Sequence, residues 1–283
     1  QTGAGNAQGM QGDIAFLNAG SMMLPMRAAK PTRTLEVPRL AMLDLMARVP
    51  ELSDHVIRVF SARRRRMYEE SRSNIKLIGA DRDAAVQRVE QFLSRNRIPF
   101  QSFDLDAGDS ETLAVCKLTD HTPSVVIGRD EVMDDPTPLK VAQYLHLDLD
   151  VCRETVYDVL IVGAGPAGVA AAVYAGAEGM CALVVEDTAI GGQAGTSSRI
   201  ENYMGFPTGI SGGDLVYRGQ IQALKFGTRF AMPRRVQALE ERDDGTYCIT
   251  MDAGEQVCAR AVLVATGVQY RRLPLAGLAE LEG

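Results

Sequence analysis

The chain has 283 residues, of which 46% are hydrophobic and 23% are charged, a composition typical of soluble globular proteins. That length can hold two or three domains of roughly 100–150 residues each. The formal net charge of −6 argues against nucleic acid as a main partner. No apolar run reaches the roughly 20 residues that span a bilayer, so neither a membrane nor a nucleic-acid partner is expected.

The five cysteines of the chain are widely separated. They are Cys116, Cys152, Cys181, Cys248 and Cys258. No two form a Cys-x-x-Cys pair, so these spacings predict neither a zinc site nor a local redox dithiol, and no catalytic residue is assigned. Residues 1–12 are small and polar and do not have the basic and apolar parts of a signal peptide. An odd cysteine count in such a chain favours reduced thiols in a cytoplasmic protein.

The first segment, residues 1–73, is predicted to contain short strands followed by two helices. The strands are expected at Ile14–Leu17, Met22–Arg27 and Arg33–Val37, and the helices are expected to begin at Pro38 and at Ser53–Asp54. With Gly12-Asp13-Ile14-Ala15 in front, this order resembles the second half of a cyclic-nucleotide-binding domain.

In that family, a Gly-Glu-(Ile/Leu)-Ala stretch opens the cassette that binds ribose and cyclic phosphate, and an Arg of the cassette pairs with the phosphate. Asp13 stands here in place of the Glu, and Ser21–Pro25, where the Arg is expected, carries no cation. We therefore interpret the segment as the degenerate end of such a barrel, without cyclic-nucleotide binding. The run Arg63–Arg66 is interpreted as a solvated helix face, with a basic contact surface as the alternative.

The middle segment, residues 74–150, alternates predicted strands and helices, which indicates a small α/β unit. The strands are expected at Ile75–Ile78, Phe100–Leu105 and Val125–Ile127, and the helices after Asp81 and at Glu111–Leu118 and Leu139–Leu147. This order resembles a glutaredoxin or thioredoxin domain. Thr122-Pro123 matches the cis-proline of that family.

The resemblance does not extend to the redox chemistry. The active cysteines of the family lie between the first strand and the first helix, where this chain reads Gly79-Ala80-Asp81-Arg82-Asp83. Cys116 falls on the second predicted helix and is assigned to the core. The segment is therefore predicted to be a redox-silent thioredoxin-like domain, with a structural role or, alternatively, a retained docking surface.

The stretch Tyr157–Gly168 predicts a strand, a tight turn and a helix. Its hydrophobic run ends in a glycine-rich turn with the spacing Gly-x-Gly-x-x-Gly. Glycines there allow the turn, let the backbone approach a pyrophosphate and let the helix pack closely, while the helix N-terminus favours phosphate. The predicted binding residues are Gly163, Gly165, Pro166, Ala167 and Gly168.

A second predicted strand, Ala182–Val185, ends in Glu186, 23 residues after Gly163. A carboxylate at this position can hold the two hydroxyl groups of a ribose. Strand, helix, second strand and terminal acid all agree, which favours a dinucleotide site over a glycine-rich turn without a ligand.

The sequence after Glu186 indicates which dinucleotide is bound. Ile190-Gly191-Gly192-Gln193 is followed by Arg199-Ile200-Glu201-Asn202-Tyr203-Met204-Gly205-Phe206-Pro207. These motifs resemble the bacterial thioredoxin reductase family, in which they run along the flavin of FAD. The resemblance implies that Gly192 and Gln193, in the loop that begins at Gly191, line the isoalloxazine and that Asn202 hydrogen-bonds to the cofactor.

The resemblance continues to the end of the sequence. A helix is expected at Leu215–Phe226, a strand that closes over the adenine begins at Val236, and a hairpin is expected at Tyr247–Met251 and Gln256–Ala259. A further strand, Ala261–Ala265, leads into Ala265-Thr266-Gly267. In FAD-dependent disulfide reductases this Ala-Thr-Gly marks the exit from the FAD domain, so its three residues join the predicted cofactor site.

Together these patterns predict an α/β chain of three parts: the partial β-barrel with helices, the thioredoxin-like domain and, over residues 155–283, an incomplete Rossmann-like FAD domain. The order matches a group of bacterial fusion proteins whose reductase part often lacks the redox cysteines. An NAD(P)H domain follows in the family, so this sequence is expected to be the front of a longer, homodimeric protein. By itself it is expected to bind FAD weakly and to be inactive.

The implied function is an oxidoreductase that passes electrons from NAD(P)H through FAD to a disulfide or another acceptor. One alternative is a non-catalytic flavin-binding sensor that carries a redox-silent module. Another is a plain NAD-binding Rossmann domain, against which the Gly-Gly-Gln loop and the motif around Asn202 argue.

Overall fold

The structure, a computed structural model, describes residues 30–69, 75–96, 98–106, 122–128, 131–145 and 155–268. The predicted elements at Ile14–Leu17, Met22–Arg27 and Glu111–Leu118, as well as Cys116 and Cys152, lie outside these ranges. Within them, no helix is long and apolar enough to cross a membrane. The same ranges contain no cluster of three or more His, Cys, Asp or Glu side chains placed to hold a metal ion.

A helical hairpin follows residues 31–38. Helix α1 spans Arg39–Arg48 and helix α2 spans Pro50–Glu69. Both helices are predicted from the sequence, although Pro38 is the N-cap of α1 rather than its first residue and α2 begins before the expected Ser53.

Residues 31–38 have no regular secondary structure, so the strand predicted at Arg33–Val37 is wrong. A strand needs a neighbour whose backbone groups pair with its own. Among the described strands none lies beside this stretch, and Leu35 is 88% exposed. A short apolar-containing run between prolines is therefore not enough to predict a strand at this position.

Residues 75–145 form a four-stranded sheet with two described helices. The strands are β1 (Ile75–Gly79), β2 (Gln101–Asp104), β3 (Ser124–Ile127) and β4 (Glu131–Asp134), and the helices are α3 (Ala84–Arg95) and α4 (Pro138–Tyr144). The sheet order is β2-β1-β3-β4, with β1 parallel to β2 and antiparallel to β3. The three predicted strands and the helices predicted after Asp81 and at Leu139–Leu147 are confirmed, whereas β4 is absent from the prediction.

The core of this unit lies between the sheet and α3. Val86, Val89, Phe92 and Leu93 of α3 are buried with Leu77 of β1, at the helical spacing that the sequence predicts. Burial of such side chains is the main force that holds helix against sheet, at about 1.5–3 kcal/mol per large aliphatic or aromatic side chain.

The beginning of α3 differs from the prediction. Its N-cap is Asp83, whose carboxylate accepts a hydrogen bond from the backbone nitrogen of Ala85 at 2.7 Å. Asp81, the expected cap, lies in the preceding turn and its backbone nitrogen donates to Asp104. Asp is a favoured N-cap residue at either position, so composition alone could not choose between them. The Thr122–Pro123 peptide bond is cis, as predicted.

Residues 157–264 form a six-stranded sheet in the order β7-β6-β5-β10-β9-β8. The strands are β5 (Tyr157–Val162), β6 (Ala182–Val185), β7 (Arg229–Ala231), β8 (Val236–Glu241), β9 (Tyr247–Met251) and β10 (Gln256–Val264). The first four in sheet order are parallel, and β10, β9 and β8 pair antiparallel. The two strands predicted at Gln256–Ala259 and Ala261–Ala265 are a single strand, and β7 is absent from the prediction.

Two helices cover one face of the parallel strands. Helix α5 spans Pro166–Ala177 and helix α6 spans Gly212–Lys225, close to the predicted Leu215–Phe226. Between α5 and α6 the hydroxyl group of Thr228 donates to the buried carbonyl of Ala172 at 2.8 Å. Ala172, Val184 and Phe230 are buried together, which fixes α5 against the sheet.

The helical hairpin α1–α2 packs on α6. Leu43 and Met46 of α1 and Val56 and Phe60 of α2 are buried with Tyr217 and Ile221 of α6. Arg218 of α6 lies 3.7 Å from the carboxylate of Asp54. The first segment is thus attached, through an apolar interface between helices, to α6 and the six-stranded sheet that α6 covers.

The expectation that all cysteines are reduced is wrong for one pair. Cys248 of β9 and Cys258 of β10 form a disulfide. They are directly opposite in the antiparallel register. They lie three positions from the pair in which the backbone nitrogen of Met251 donates to the carbonyl oxygen of Glu255, so theirs is a non-hydrogen-bonded pair. Side chains approach most closely at such non-hydrogen-bonded positions. Cys181 is a free, exposed thiol.

We expect reduction of this disulfide to lower the free energy of unfolding by about 2–3 kcal/mol, because the closed loop has a sequence separation of 10 residues. Urea unfolding with and without dithiothreitol measures the difference. Cys258→Ser should show the same loss and no response to the reductant, whereas Cys181→Ser should behave as the wild type. Equal stability of the reduced and oxidised proteins would contradict this expectation.

Candidate dinucleotide-binding site

The glycine turn joins β5 to α5 at the carboxyl end of the parallel strands. Gly163 has φ +101°, and its amide donates to the carbonyl oxygen of Val185 at 2.8 Å. A Cβ added at Gly163 would meet the carbonyl group of Ala265, with its carbon at 2.8 Å. This position therefore admits no side chain, and the strand–turn–helix prediction is confirmed.

Gly165 and Gly168, at the start of α5, have different structural roles. Gly165 is the N-cap of α5, and a Cβ added there would meet nothing within 4 Å. A Cβ at Gly168 would collide with the carbonyl oxygen of Gly163 and lie 2.9 Å from its carbon. Gly168 thus lets the first turn of α5 rest against the turn itself, while Gly165 leaves open space in front of the helix N-terminus.

Glu186 lies beside this turn and is only 9% exposed. Its Oε2 accepts from the backbone nitrogen of Ala164 at 2.7 Å, and its Oε1 accepts from those of Thr188 at 3.1 Å and Ala189 at 3.4 Å. The sequence predicts a ribose-binding carboxylate here but does not predict these three backbone contacts. They join the glycine turn to the loop after β6.

Burial raises the pKa of Glu186 above the usual range of a carboxyl group. The hydrogen bond from Ala164 acts in the opposite direction, and Asp187 adds to the rise in pKa. The balance follows from the cost of placing a charge where little water reaches it.

We therefore expect a definite pH dependence from Glu186. Because its pKa is raised in the folded state, the stability it contributes is fully present below the pKa of an unfolded Glu and is lost as the pH rises through the folded-state pKa. The free energy of unfolding of the wild type minus that of Glu186→Gln should fall with increasing pH over this window. Urea unfolding at a series of pH values measures it, and a difference that grows with pH would contradict the expectation.

The predicted Gly-Gly-Gln loop lies against the glycine turn. The amide of Gly191 donates to the carbonyl oxygen of Ala164 at 2.7 Å. A Cβ at Gly192, where φ is +52°, would lie 3.1 Å from the Cα of Gly165. The loop continues as a short 3₁₀ helix, Gly192–Thr196.

The predicted Ala-Thr-Gly stretch reaches the same place from β10. The amide of Ala265 donates to the carbonyl oxygen of Val162 at 2.8 Å, which extends the pairing of β10 with β5. Gly267 has φ +72°. The side-chain amide of Gln193 donates to the carbonyl oxygen of Val268 at 3.1 Å, so the chain after Ala-Thr-Gly is tied to the Gly-Gly-Gln loop.

Asn202 and Val236 are not brought to the turn by any described contact. Asn202 is exposed in a loop closed by mutual backbone hydrogen bonds between Ile200 and Ile210. Val236 begins β8 at the outer edge of the sheet. Arg234, two residues before Val236, lies beside Glu186, because its backbone amide donates to the carbonyl oxygen of Glu186 at 2.8 Å.

Residues 157–283 match the family described as pyridine nucleotide-disulphide oxidoreductase. A bifunctional thioredoxin reductase/thioredoxin of Mycobacterium leprae is 38% identical over 131 residues, which cover 46% of this chain and 28% of that protein. A thioredoxin reductase of Listeria monocytogenes is 39% identical over 132 residues, which cover 46% of this chain and 40% of that protein.

A solved structure is also similar in sequence. The atypical thioredoxin reductase of Desulfovibrio vulgaris Hildenborough is 36% identical, with 44% of this chain and 40% of that chain covered and a TM-score of 0.38. The present chain spans 28% of the length of the Mycobacterium leprae protein and 40% of that of the Listeria monocytogenes protein, less than half of either.

The part of the chain that carries the glycine turn is thus similar to the pyridine nucleotide-disulphide oxidoreductase family. Within that class its relatives are thioredoxin reductases. This confirms, for residues 157–283, the resemblance that the sequence motifs indicate.

Proposed function

We propose that residues 155–283 bind FAD as the flavin domain of a thioredoxin-reductase-like oxidoreductase. One observation carries the proposal: the glycine turn, the Gly191–Gln193 loop and the Ala265–Gly267 stretch meet at the carboxyl ends of β5, β6 and β10. Ligands of open α/β sheets bind at that edge.

The residues present fit a dinucleotide. The space in front of α5 is open at Gly165, and the amides of the first helical turn face it with the positive end of the helix dipole. Gly163, Gly165, Pro166, Ala167 and Gly168 would hold the pyrophosphate. Neighbouring backbone leaves no room for a side chain at Gly163 or Gly168, so the turn, the first turn of α5 and Ala265 pack closely together.

Glu186 would hold the adenosine ribose. A carboxylate has about four acceptor positions, and three backbone amides use part of them on its two oxygens. Acceptor capacity therefore remains for a hydroxyl group. Those amides also fix the direction in which the carboxylate presents it.

The remaining proposed contacts come from four segments. Gly192 and Gln193, in the loop that begins at Gly191, would line the isoalloxazine, and Asn202 would hydrogen-bond to the cofactor. The strand that begins at Val236 would close over the adenine, and Ala265, Thr266 and Gly267 would lie near the cofactor. When bound, the flavin supplies hydride and electron transfer. The protein groups orient it, donate hydrogen bonds to its polar edge and exclude water.

The whole protein would pass electrons from NADPH or NADH through FAD to a disulfide or another acceptor, as a homodimer in the cytoplasm. The thioredoxin reductase relatives support the electron-transfer part of this proposal. Oxidation of NAD(P)H by the longer protein, followed at the nicotinamide absorbance with added FAD, tests it. Absence of turnover with every disulfide and quinone acceptor offered would refute the catalytic proposal.

The preceding segments belong to the proposal as well. The order β2-β1-β3-β4 and the cis peptide before Pro123 support a thioredoxin-like domain over residues 74–150. At the place of the expected thiols, Asp83 caps α3, so the domain would be redox-silent. Residues 1–73 would be the degenerate end of a cyclic-nucleotide-binding domain.

A flavin-binding sensor without catalysis is the second candidate. It is favoured by the packing of α1–α2 on α6, which attaches the first segment to the proposed flavin domain. A Cys-x-x-Cys and a second glycine-rich fingerprint beyond Gly283 would support the reductase. A continuation without either would support the sensor.

A further inference from the structure

Asn96, at the C-cap of α3, connects the unit of residues 75–145 to the loop after β6 of the six-stranded sheet. Its side-chain nitrogen donates to the carbonyl oxygen of Phe92 at 2.8 Å and to that of Thr188 at 2.9 Å. The first bond closes the end of α3, and the second reaches a residue 92 positions away. Both hydrogens of the amide group have an acceptor, which fixes its orientation, since the amide oxygen in this place would face two carbonyl oxygens.

Thr188 lies in the loop that holds Glu186. The backbone nitrogens of Thr188 and Ala189 donate to Oε1 of Glu186, and that of Ala164 donates to Oε2. The carbonyl oxygen of Ala164 in turn accepts from Gly191 at 2.7 Å. The bond from Asn96 is therefore the first of a connected series that ends in the glycine turn and the Gly-Gly-Gln loop.

We infer that Asn96 is a positioning residue for FAD. It holds the Thr188 loop, and through this loop it fixes the direction in which Glu186 presents its carboxylate to the ribose. The inference rests on the proposed function of residues 155–283. The domain of residues 74–150, proposed to be redox-silent, would thus hold the cofactor site in position instead of exchanging electrons with the flavin.

The carbonyl oxygen of Thr188 requires a hydrogen-bond donor at position 96. The carbonyl oxygen of Thr188 points out of the loop, and a partly buried carbonyl without a partner is unfavourable. Without the amide of Asn96 the loop can turn this carbonyl toward water, which also moves the amides of Thr188 and Ala189. Aspartate has the shape of asparagine but donates no hydrogen bond when ionised.

The test compares FAD affinity of Asn96→Ala and Asn96→Asp with that of the wild-type chain, by quenching of flavin fluorescence. Both variants should bind FAD roughly fivefold to tenfold more weakly, as expected for one lost hydrogen bond that orders the site. Gln91→Ala, an exposed change on the same helix, should bind as the wild type does. In a Glu186→Gln background the Asn96→Ala change should have little further effect, because the two residues act in series.

A purely local role of Asn96 predicts different results. Loss of the Phe92 bond alone would lower the melting temperature and leave FAD affinity unchanged, and this outcome would overturn the inference. Additive effects of Asn96→Ala and Glu186→Gln would overturn it too.

Hydrogen exchange of the protein without flavin separates this inference from the proposed function. The amides of Thr188 and Ala189 should exchange faster in Asn96→Ala than in Gln91→Ala. If the wild type binds no FAD, the proposed function fails, and faster exchange at these amides still supports the bracing contact. Equal exchange in both variants refutes the contact whether or not flavin binds.

Discussion

Gly168→Val is expected to abolish FAD uptake and to cost about 3 kcal/mol of folding free energy. Any Cβ at this position collides with the carbonyl oxygen of Gly163, so the first turn of α5 must move away from the glycine turn. That movement displaces the amides that would bind the pyrophosphate. Flavin titration and urea unfolding measure the two effects, with Tyr174→Val, on the exposed face of the same helix, as the control.

Gly165→Ala separates the loss of the site from the loss of the fold. A methyl group there meets nothing within 4 Å, and φ is −66°, so the folded protein should keep its stability. The methyl group would fill the space proposed for the pyrophosphate, and FAD affinity should fall sharply. Wild-type affinity in Gly165→Ala would count against this placement of the cofactor.

Glu255→Ala is expected to destabilise the protein by about 3 kcal/mol. The side chain of Arg234 is 3% exposed, and its Nε lies 2.6 Å from Oε2 of Glu255. Removal of the carboxylate takes this counter-charge away from a buried guanidinium. Because the amide of Arg234 also donates to the carbonyl oxygen of Glu186, the loss should be accompanied by weaker flavin binding.

Chemical denaturation of Glu255→Ala beside Glu240→Ala, an exposed glutamate on β8, provides the comparison. The control should change stability by no more than about 0.5 kcal/mol. Replacement of the whole pair in Arg234→Met/Glu255→Leu should recover much of the loss, because neither charge of this pair is then left buried without the other. A loss in Glu255→Ala as small as in the control would contradict the assigned role of the pair.

The central part of the site is readable from the sequence because its signals are local. The apolar run at Val159–Val162, the glycines after it and Glu186 at the end of the next strand each follow from short-range rules of backbone conformation and strand length. Gly163 is the clearest case, since its φ of +101° and its contact with Ala265 both demand glycine.

Contacts that depend on register were missed. The sequence predicts the hairpin of β9 and β10, and counting outward from the turn at Gly254 would have placed Cys248 opposite Cys258. The prediction considered only Cys-x-x-Cys spacing, which suits helices and turns rather than paired strands. The disulfide was therefore missed although both strands were identified.

Contacts between distant segments left no sequence signal at all. Asn96 and Thr188 are 92 positions apart. An Asn at the end of a helix and a Thr in a loop are both common, and neither indicates a hydrogen bond to a distant segment. Strand β7, Arg229–Ala231, has only three residues, too few for a periodic pattern. Its place in the sheet follows from pairing with β6.

The central claim is that residues 155–283 form an FAD site, and a flavin titration of the purified chain tests it most directly. We predict that added FAD binds saturably, that its visible spectrum acquires the structured shape of a protein-bound flavin, and that Gly165→Ala removes both effects. A chain that stays colourless and leaves the spectrum and fluorescence of added FAD unchanged, at protein concentrations up to about 100 μM, where even a weak site of about −6 kcal/mol binds measurably, would contradict the claim.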